Sequence, residues 1–251
     1  MNDLFYEMIF KRKSFHIFPD KNEEISQEEL KEIKEVFKNL KPLLKNIKVD
    51  MKIVPASETN CKRKEEYCIL LYSEKKDNYL QNIGYIGEQL DLYLTSMNIG
   101  SLWFGIGKEE KKYNDLDFVI MIAISKVSED KFRKDMFKSK RKNLEEIWHL
   151  DKYQSIGNIV RYAPSACNTQ PWIVELEDNK LMVYRYKMKG KRGIMPIKEV
   201  NYYNKIDIGI FMLFLDVCLE KENILFKKEI VIDNYDDDRE KSLNAIYELN
   251  I

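Results

Sequence analysis

Hydrophobic positions recur along the chain at helical and strand periods, and their order lays out the elements. Ser26 and Glu29 form a capping-box pattern ahead of Leu30, Ile33, Val36, Phe37 and Leu40, whose helical spacing lasts until Pro42. A helix over 26–41 follows from it. Val49 to Val54 and Cys68 to Tyr72 are short apolar or alternating runs bounded by Pro55 and charged clusters, the pattern of strands. Between Leu80 and Ile99, the apolar positions Ile83, Ile86, Leu90, Tyr93, Leu94 and Met97 predict a long, largely buried helix that ends near Gly100. Phe118 to Ile124 predicts a β-branched strand.

The order then repeats. A helix from about Lys152 to Tyr162 is stopped by Pro164, strands are expected at Ile173 to Leu176 and Leu181 to Tyr186, an apolar helix at about Asn204 to Glu220, and a final strand at Leu225 to Ile232. Setting Ile86-Gly87 against Ile208-Gly209 superposes the two apolar helices at a shift of about 122, which also places helix 26–41 over helix 152–162. Arg12-Lys13-Ser14 and Arg141-Lys142-Asn143 stand near the two starts. Duplication is the reading these repeats suggest, with halves 1–150 and 151–251.

Composition sharpens the picture. With 44% hydrophobic and 12% aromatic residues the chain is expected to fold throughout. The 42 basic and 42 acidic residues balance, so no global field favours nucleic acid or an anionic membrane. Met1 to Lys13 alternates apolar and charged residues without a signal-peptide stretch, and the longest apolar run, Ile208 to Leu219, contains Asp216 and is too short to span a bilayer. A cytoplasmic protein with free thiols is expected. Four scattered cysteines without a C-x-x-C pair, and only His16 and His149 beside them, argue against a zinc site.

Four segments carry candidate chemistry. In Arg161 to Trp172, Pro164 ends a helix and Pro171 precedes a strand, leaving a turn whose Ser165, Asn168 and Gln170 offer donors and acceptors to a neutral ring edge. Arg12, Lys13 and Ser14 combine a planar cationic fork, a point charge and a hydroxyl, the groups that suit a phosphate. Gly105 and Gly107, flanking Ile106 after Trp103, permit close backbone approach to a ring. They do not form a dinucleotide fingerprint, since no third glycine follows at the required spacing. The basic run Lys138 to Lys142 contains Lys140 and Arg141. It reads equally as the tail of a first copy or the opening of a second.

Together these segments resemble the FMN-dependent nitroreductase family: A-P-S-x-x-N-x-Q-P-W at Ala163 to Trp172, the R-R-S-x-R-x-F opening at Arg12 to Phe18, a tryptophan before glycines at Trp103 to Gly107, and a lysine-arginine tail at Lys140 and Arg141. His16 stands where the family often has a second arginine. The resemblance implies an α+β nitroreductase-like fold of two pseudo-symmetric halves, with central antiparallel sheets flanked by helices. It also implies FMN held by Arg12, Lys13, Ser14, Gly105, Ile106, Gly107, Lys140, Arg141, Pro164, Ser165, Asn168 and Gln170, and NADH or NADPH as co-substrate. A nitro compound, quinone or similar small molecule is the implied acceptor. No side chain is expected to be catalytic and no metal is implied, because flavin carries this chemistry; Lys13 is the family's candidate for stabilising charge on the ring.

In the family two identical subunits share two sites. Here the reciprocal site lacks its motifs: in the first half Leu40 to Asn46 stands in place of the polar turn, and in the second half Leu225 to Lys228 has no glycine to match Gly105. The implied molecule is a pseudo-dimer with one intact site, for which a monomer suffices. A flavin-storage or redox-sensing protein, or a structural protein that has lost flavin, would keep the same segments.

Overall fold

The computed structural model describes residues 2–20, 23–186, 193–233 and 240–250. Helices α1 (Asn2–Lys11) and α2 (Gln27–Asn39) precede strands β1 (Val49–Pro55) and β2 (Tyr67–Ser73), helix α3 (Tyr79–Ser96), and strands β3 (Ile99–Phe104) and β4 (Asp117–Lys126). There follow β5 (Trp148–His149), α4 (Gln154–Val160), β6 (Trp172–Glu177), β7 (Lys180–Tyr186), α5 (Ile197–Lys221), β8 (Leu225–Ile230) and β9 (Lys241–Asn250). The predicted helices and strands are all present. The capping box of α2 forms as read, the Ser26 hydroxyl accepting from the Glu29 amide at 3.1 Å and the Ser26 amide donating to Glu29 Oε2 at 2.9 Å.

Three elements depart from the pattern reading. Residues 2–11 form a helix, because Phe5 and Ile9, four apart on one face, both bury against α3 and α5. The segment after α3 is a strand, β3, paired along β4 from Ile99 to Phe104. The last strand is β9, in which Ala245, Tyr247 and Leu249 alternate into the core.

Two sheets have the same plan. The first runs β1-β2-β4-β3 and the second β6-β7-β9-β8 with β5 added beside β6; every pairing is antiparallel except β5 with β6. In each, the same strand pair carries an irregularity: β4 skips Val119 opposite Leu71/Tyr72, and β9 skips Asn244 opposite Val183/Tyr184. Val119 and Asn244 lie 125 residues apart.

Between the sheets, α3 and α5 pack on each other and are buried on nearly every face, as befits helices apolar all round. A Cβ on Gly84 would lie 2.0 Å from the Ile206 carbonyl oxygen, and one on Gly209 2.0 Å from that of Gln81. The backbones can approach this closely only because both positions are glycine. The two contacts are reciprocal, Gln81 and Gly84 each lying 125 residues before Ile206 and Gly209, as across a two-fold axis. This corrects the predicted helix register: Gly84, not Gly87, is the counterpart of Gly209. The strands correct the glycine comparison: β3 and β8 begin 126 residues apart, so Gly105 corresponds to Val231, not to Leu225.

Candidate active site

A cleft of about 560 Å³ lies where the two halves meet. Ser14, Trp103, Gly105 and Ile120 face it from the first half, and Pro164, Ser165, Tyr203 and Asp207 from the second. It continues past Gly105 and Cys167 into an outer chamber of about 800 Å³, lined by Phe104, Ile106, Ile194, Met195 and Pro196 with Arg63 and Glu199 beside them. Both volumes include space open to solvent.

The first-half wall is set by one carboxylate. Asp91 on α3 accepts from Arg12 Nε at 2.8 Å, from Trp103 Nε1 at 3.0 Å and from the Ser101 hydroxyl. Gly87 leaves room for Trp103, whose ring would stand 2.5 Å from a Cβ there. Ser14 bridges to Ser101 in parallel and accepts from Arg12 Nη2 at 3.3 Å. The buried Arg12 guanidinium thus reaches the cleft through Ser14. Burial opposes its charge, but Asp91 and Glu88 outweigh that and raise its pKa. Burial pushes the Glu88 carboxyl well up, with Asp91 adding.

Two further arginines crowd Arg12. Burial depresses Arg133 to about 10, with Arg12 adding, and depresses Arg141 to about 10, with Arg133, Arg12 and Arg161 adding. Arg141 donates to the carbonyls of Lys140 and Tyr162 at 2.9 and 3.2 Å, and its buried Nε has no partner. Neither Arg133 nor Arg141 has a carboxylate partner among the described residues. Arg133 and Arg141, unlike Arg12, therefore stand buried without a compensating carboxylate among the described residues, an arrangement that favours a nearby anion.

The second-half wall is a turn of unusual backbone. Cys167, Asn168 and Gln170 take positive φ of 50°, 55° and 49°, a region disfavoured for side-chain-bearing residues. Local hydrogen bonds hold it: Ser165 Oγ accepts from the Gln170 amide at 2.9 Å, and Asp207 Oδ1 accepts from the Ala166 amide at 2.9 Å.

Of the predicted residues, Ser14, Gly105, Pro164 and Ser165 line the cleft, Ile106 lines the outer chamber, and Arg12 and Arg141 stand behind Ser14 and Tyr162. The others do not line the cleft or the outer chamber. Lys13 donates to the Lys131 carbonyl at 2.9 Å. Gly107 closes a turn onto the Phe104 carbonyl, where a Cβ would meet Met121 Cβ at 2.8 Å, so packing and not ring approach accounts for this glycine. Asn168 Nδ2 donates to the Lys140 carbonyl, and Gln170 Oε1 accepts from the Lys142 amide at 2.8 Å. These two tie the polar turn to the basic segment 140–142.

The chain matches the family described as "Putative TM nitroreductase" over residues 4–218. The chain belongs to this family. Its nitroreductase membership makes it an oxidoreductase. Among solved structures, a "putative nitroreductase" from Thermotoga maritima is 18% identical with a TM-score of 0.60, covering 98% of this chain and 94% of its own. A "nitroreductase family protein" from Clostridium difficile is 14% identical with a TM-score of 0.46, covering 61% and 99%. No curated protein matches the chain. Among the described residues, no helix of this nitroreductase-family protein is long and apolar enough to cross a membrane.

Pattern reading missed Arg133, Tyr203 and Asp207. Arg133 is hidden in a charge-rich stretch and is pinned by the burial of Phe132 and Met136 on either side. Tyr203 donates its hydroxyl to the Gly105 carbonyl across the cleft. Asp207 is buried, its Oδ2 makes no hydrogen bond that meets the normal geometry among the described residues, and burial raises its pKa well above the carboxylate range against the opposing Ala166 amide and nearby Thr169 hydroxyl. A signal for it existed: Asn82-Ile83-Gly84 and Asp207-Ile208-Gly209 match at the offset of 125. The fold also brings Cys61, Glu65 and Cys68 within 4.8 Å of one another, although the cysteines read as scattered. Burial, with Glu65 adding, pushes the Cys61 thiol up to about 12.

Proposed function

We propose that the cleft binds FMN and that the protein is an NAD(P)H-dependent FMN oxidoreductase. The observation that carries this reading is the junction itself: Ser14 and Gly105 from one half meet the Pro164-Ser165 turn from the other, next to arginines that lack an anion. The residues fit the group. Arg12, Arg133 and Arg141 with Ser14 would take the phosphate, since forked guanidinium groups suit phosphate oxygens. The Gly105-Ile106 backbone would lie against the ring, and the Pro164 to Asn168 turn would close the other side, with Gln170 and Lys140 bracing it. Lys13 and Gly107 would support from behind.

When bound, FMN would supply the chemistry, accepting hydride equivalents from NADH or NADPH and delivering them to a nitro compound, quinone or related acceptor. The chain's own residues orient and exclude. Trp103, fixed by Asp91, and Tyr203, fixed by Gly105, narrow the cleft against water. The outer chamber is apolar with Arg63 at its edge, which suits a flat acceptor bearing an electron-poor polar group.

The repeat of topology, irregularity and helix crossing supports a fused pseudo-dimer, and the counterpart of the cleft supports a single site. There Val231 replaces Gly105. Asp233 next to it makes a bidentate pair with Arg185, at 2.6 and 3.0 Å, joined by Asn244. The protein's own ion pair occupies that region.

The reading is tested by adding FMN to purified protein and following absorbance, then oxidising NADH with menadione as acceptor. Flavin binding with turnover supports it. Binding without turnover would make the protein a flavin store or sensor, and no binding at micromolar FMN would reject it.

A further inference from the structure

Asp207 and Asn82 occupy equivalent positions on α5 and α3, 125 residues apart, and make equivalent bonds. Asp207 Oδ1 accepts from the Ala166 amide at 2.9 Å, and Asn82 Oδ1 accepts from the Leu44 amide at 2.9 Å. In each the second terminal atom, Asp207 Oδ2 or Asn82 Nδ2, is buried without a partner. One half therefore places an uncharged amide where the other places a carboxyl group. An amide and a protonated carboxyl are nearly isosteric, each presenting one acceptor and at least one donor.

We infer that Asp207 works as an uncharged carboxylic acid, its Oδ1 positioning the polar turn and its Oδ2 hydroxyl donating to a carbonyl oxygen or ring nitrogen of the ligand in the cleft. This rests on reading that cleft as the flavin site. An ionised Asp207 would have no donor to offer, would leave a charge buried without a counter-ion, and would repel an acceptor atom. Burial in the wall of the cleft raises the Asp207 carboxyl's hold on its proton, as apolar sites do for other carboxylic acids that serve as donors.

Among the described residues, the surroundings carry no fixed charge that would reverse this. The titratable side chains sharing the cleft are His16 across it, Cys167 on the turn and Tyr203 one turn earlier on α5, with Glu199 further out in the outer chamber. The helix packed against Asp207, α3, approaches with the backbone of Gln81 and Gly84, and its own acids Glu88 and Asp91 are engaged around Arg12.

The test compares wild type with Asp207→Asn and Asp207→Leu. FMN affinity is measured by fluorescence titration from acid to alkaline pH. Infrared spectra are recorded at neutral pH, with and without FMN. The wild-type minus Asp207→Asn difference spectrum is expected to show a carboxylic-acid C=O band. On FMN addition this band shifts. Asp207→Leu binds roughly tenfold or more weakly, and Asp207→Asn rescues most of that loss. Wild-type affinity falls as pH rises through the Asp207 ionisation, whereas that fall is missing in Asp207→Asn; ionisation of the FMN phosphate affects both alike. If wild type binds FMN but Asp207→Asn is as weak as Asp207→Leu, or follows the wild-type pH profile, the inference is overturned. Absence of the acid band overturns it independently of any flavin. If no variant binds FMN while the band is present, the flavin reading fails and the inference, which needs a ligand in the cleft, is withdrawn with it.

Discussion

The Tyr203 hydroxyl donates to the Gly105 carbonyl, joining α5 to the end of β3 across the cleft, and Asn78 Nδ2 makes the matching bond to the Val231 carbonyl at 2.9 Å in the other half. The helix residues of the two bonds lie 125 apart, as the helices do, and the strand residues 126 apart, as β3 and β8 do. They differ in what surrounds them. Beside Tyr203 there is a glycine, where a Cβ would lie 3.0 Å from the ring, and beside Asn78 there is a valine.

Substituting Gly105→Val should therefore copy the filled side onto the open one. FMN affinity is expected to fall roughly tenfold or more, with the circular dichroism spectrum unchanged. Tyr203→Phe should cost about 0.5–1.5 kcal/mol of stability through the lost hydrogen bond, measured by urea unfolding. If Gly105→Val binds FMN as wild type does, the glycine is not part of the site.

The arginine cluster trades stability for binding. Arg133 and Arg141 titrate near 10 in the folded protein, below the ordinary arginine value of about 12.5. Between those values the unfolded chain holds more protons, so stability rises with pH there, and at neutral pH both buried charges work against folding. Arg133→Met is thus expected to raise the melting temperature of ligand-free protein and to lower the ratio of FMN to riboflavin affinity. A variant that binds both ligands as before would remove Arg133 from the phosphate site.

Much of this was legible in the sequence. The capping box of α2, the buried α3 and the proline-bounded turn at 164–171 each rest on local rules that the tertiary structure leaves standing. What was not legible depends on partners remote in sequence. Residues 2–11 look alternating until α3 and α5 supply a face for Phe5 and Ile9, and β9 looks polar because Ser242 and Asn244 are buried in it and hydrogen-bonded there. The bonds that Asn168 and Gln170 make to residues 140–142 cannot be seen without knowing that the basic segment packs against the turn. Gly87 and Gly84 share a face of α3, and only the reciprocal contact with Gln81 and Ile206 shows that Gly84 is the counterpart of Gly209.

The buried pair Arg185–Asp233 should matter for stability and not for flavin. Asp233→Ala removes the bidentate carboxylate from the buried arginine, which costs about 3–5 kcal/mol, and the loss is measurable by chemical unfolding. FMN affinity per folded protein should be unchanged. A large loss of flavin affinity with intact stability would place a functional site on that side of the molecule.

The central claim is one flavin site built from both halves of a single chain, and calorimetric titration of purified protein with FMN, together with light scattering on the same sample, tests it most directly. One FMN bound per chain is the expected result, with the monomer able to bind. Two equivalent FMN per chain, no binding at micromolar concentration, or binding confined to an assembly in which a second chain completes the site would contradict it.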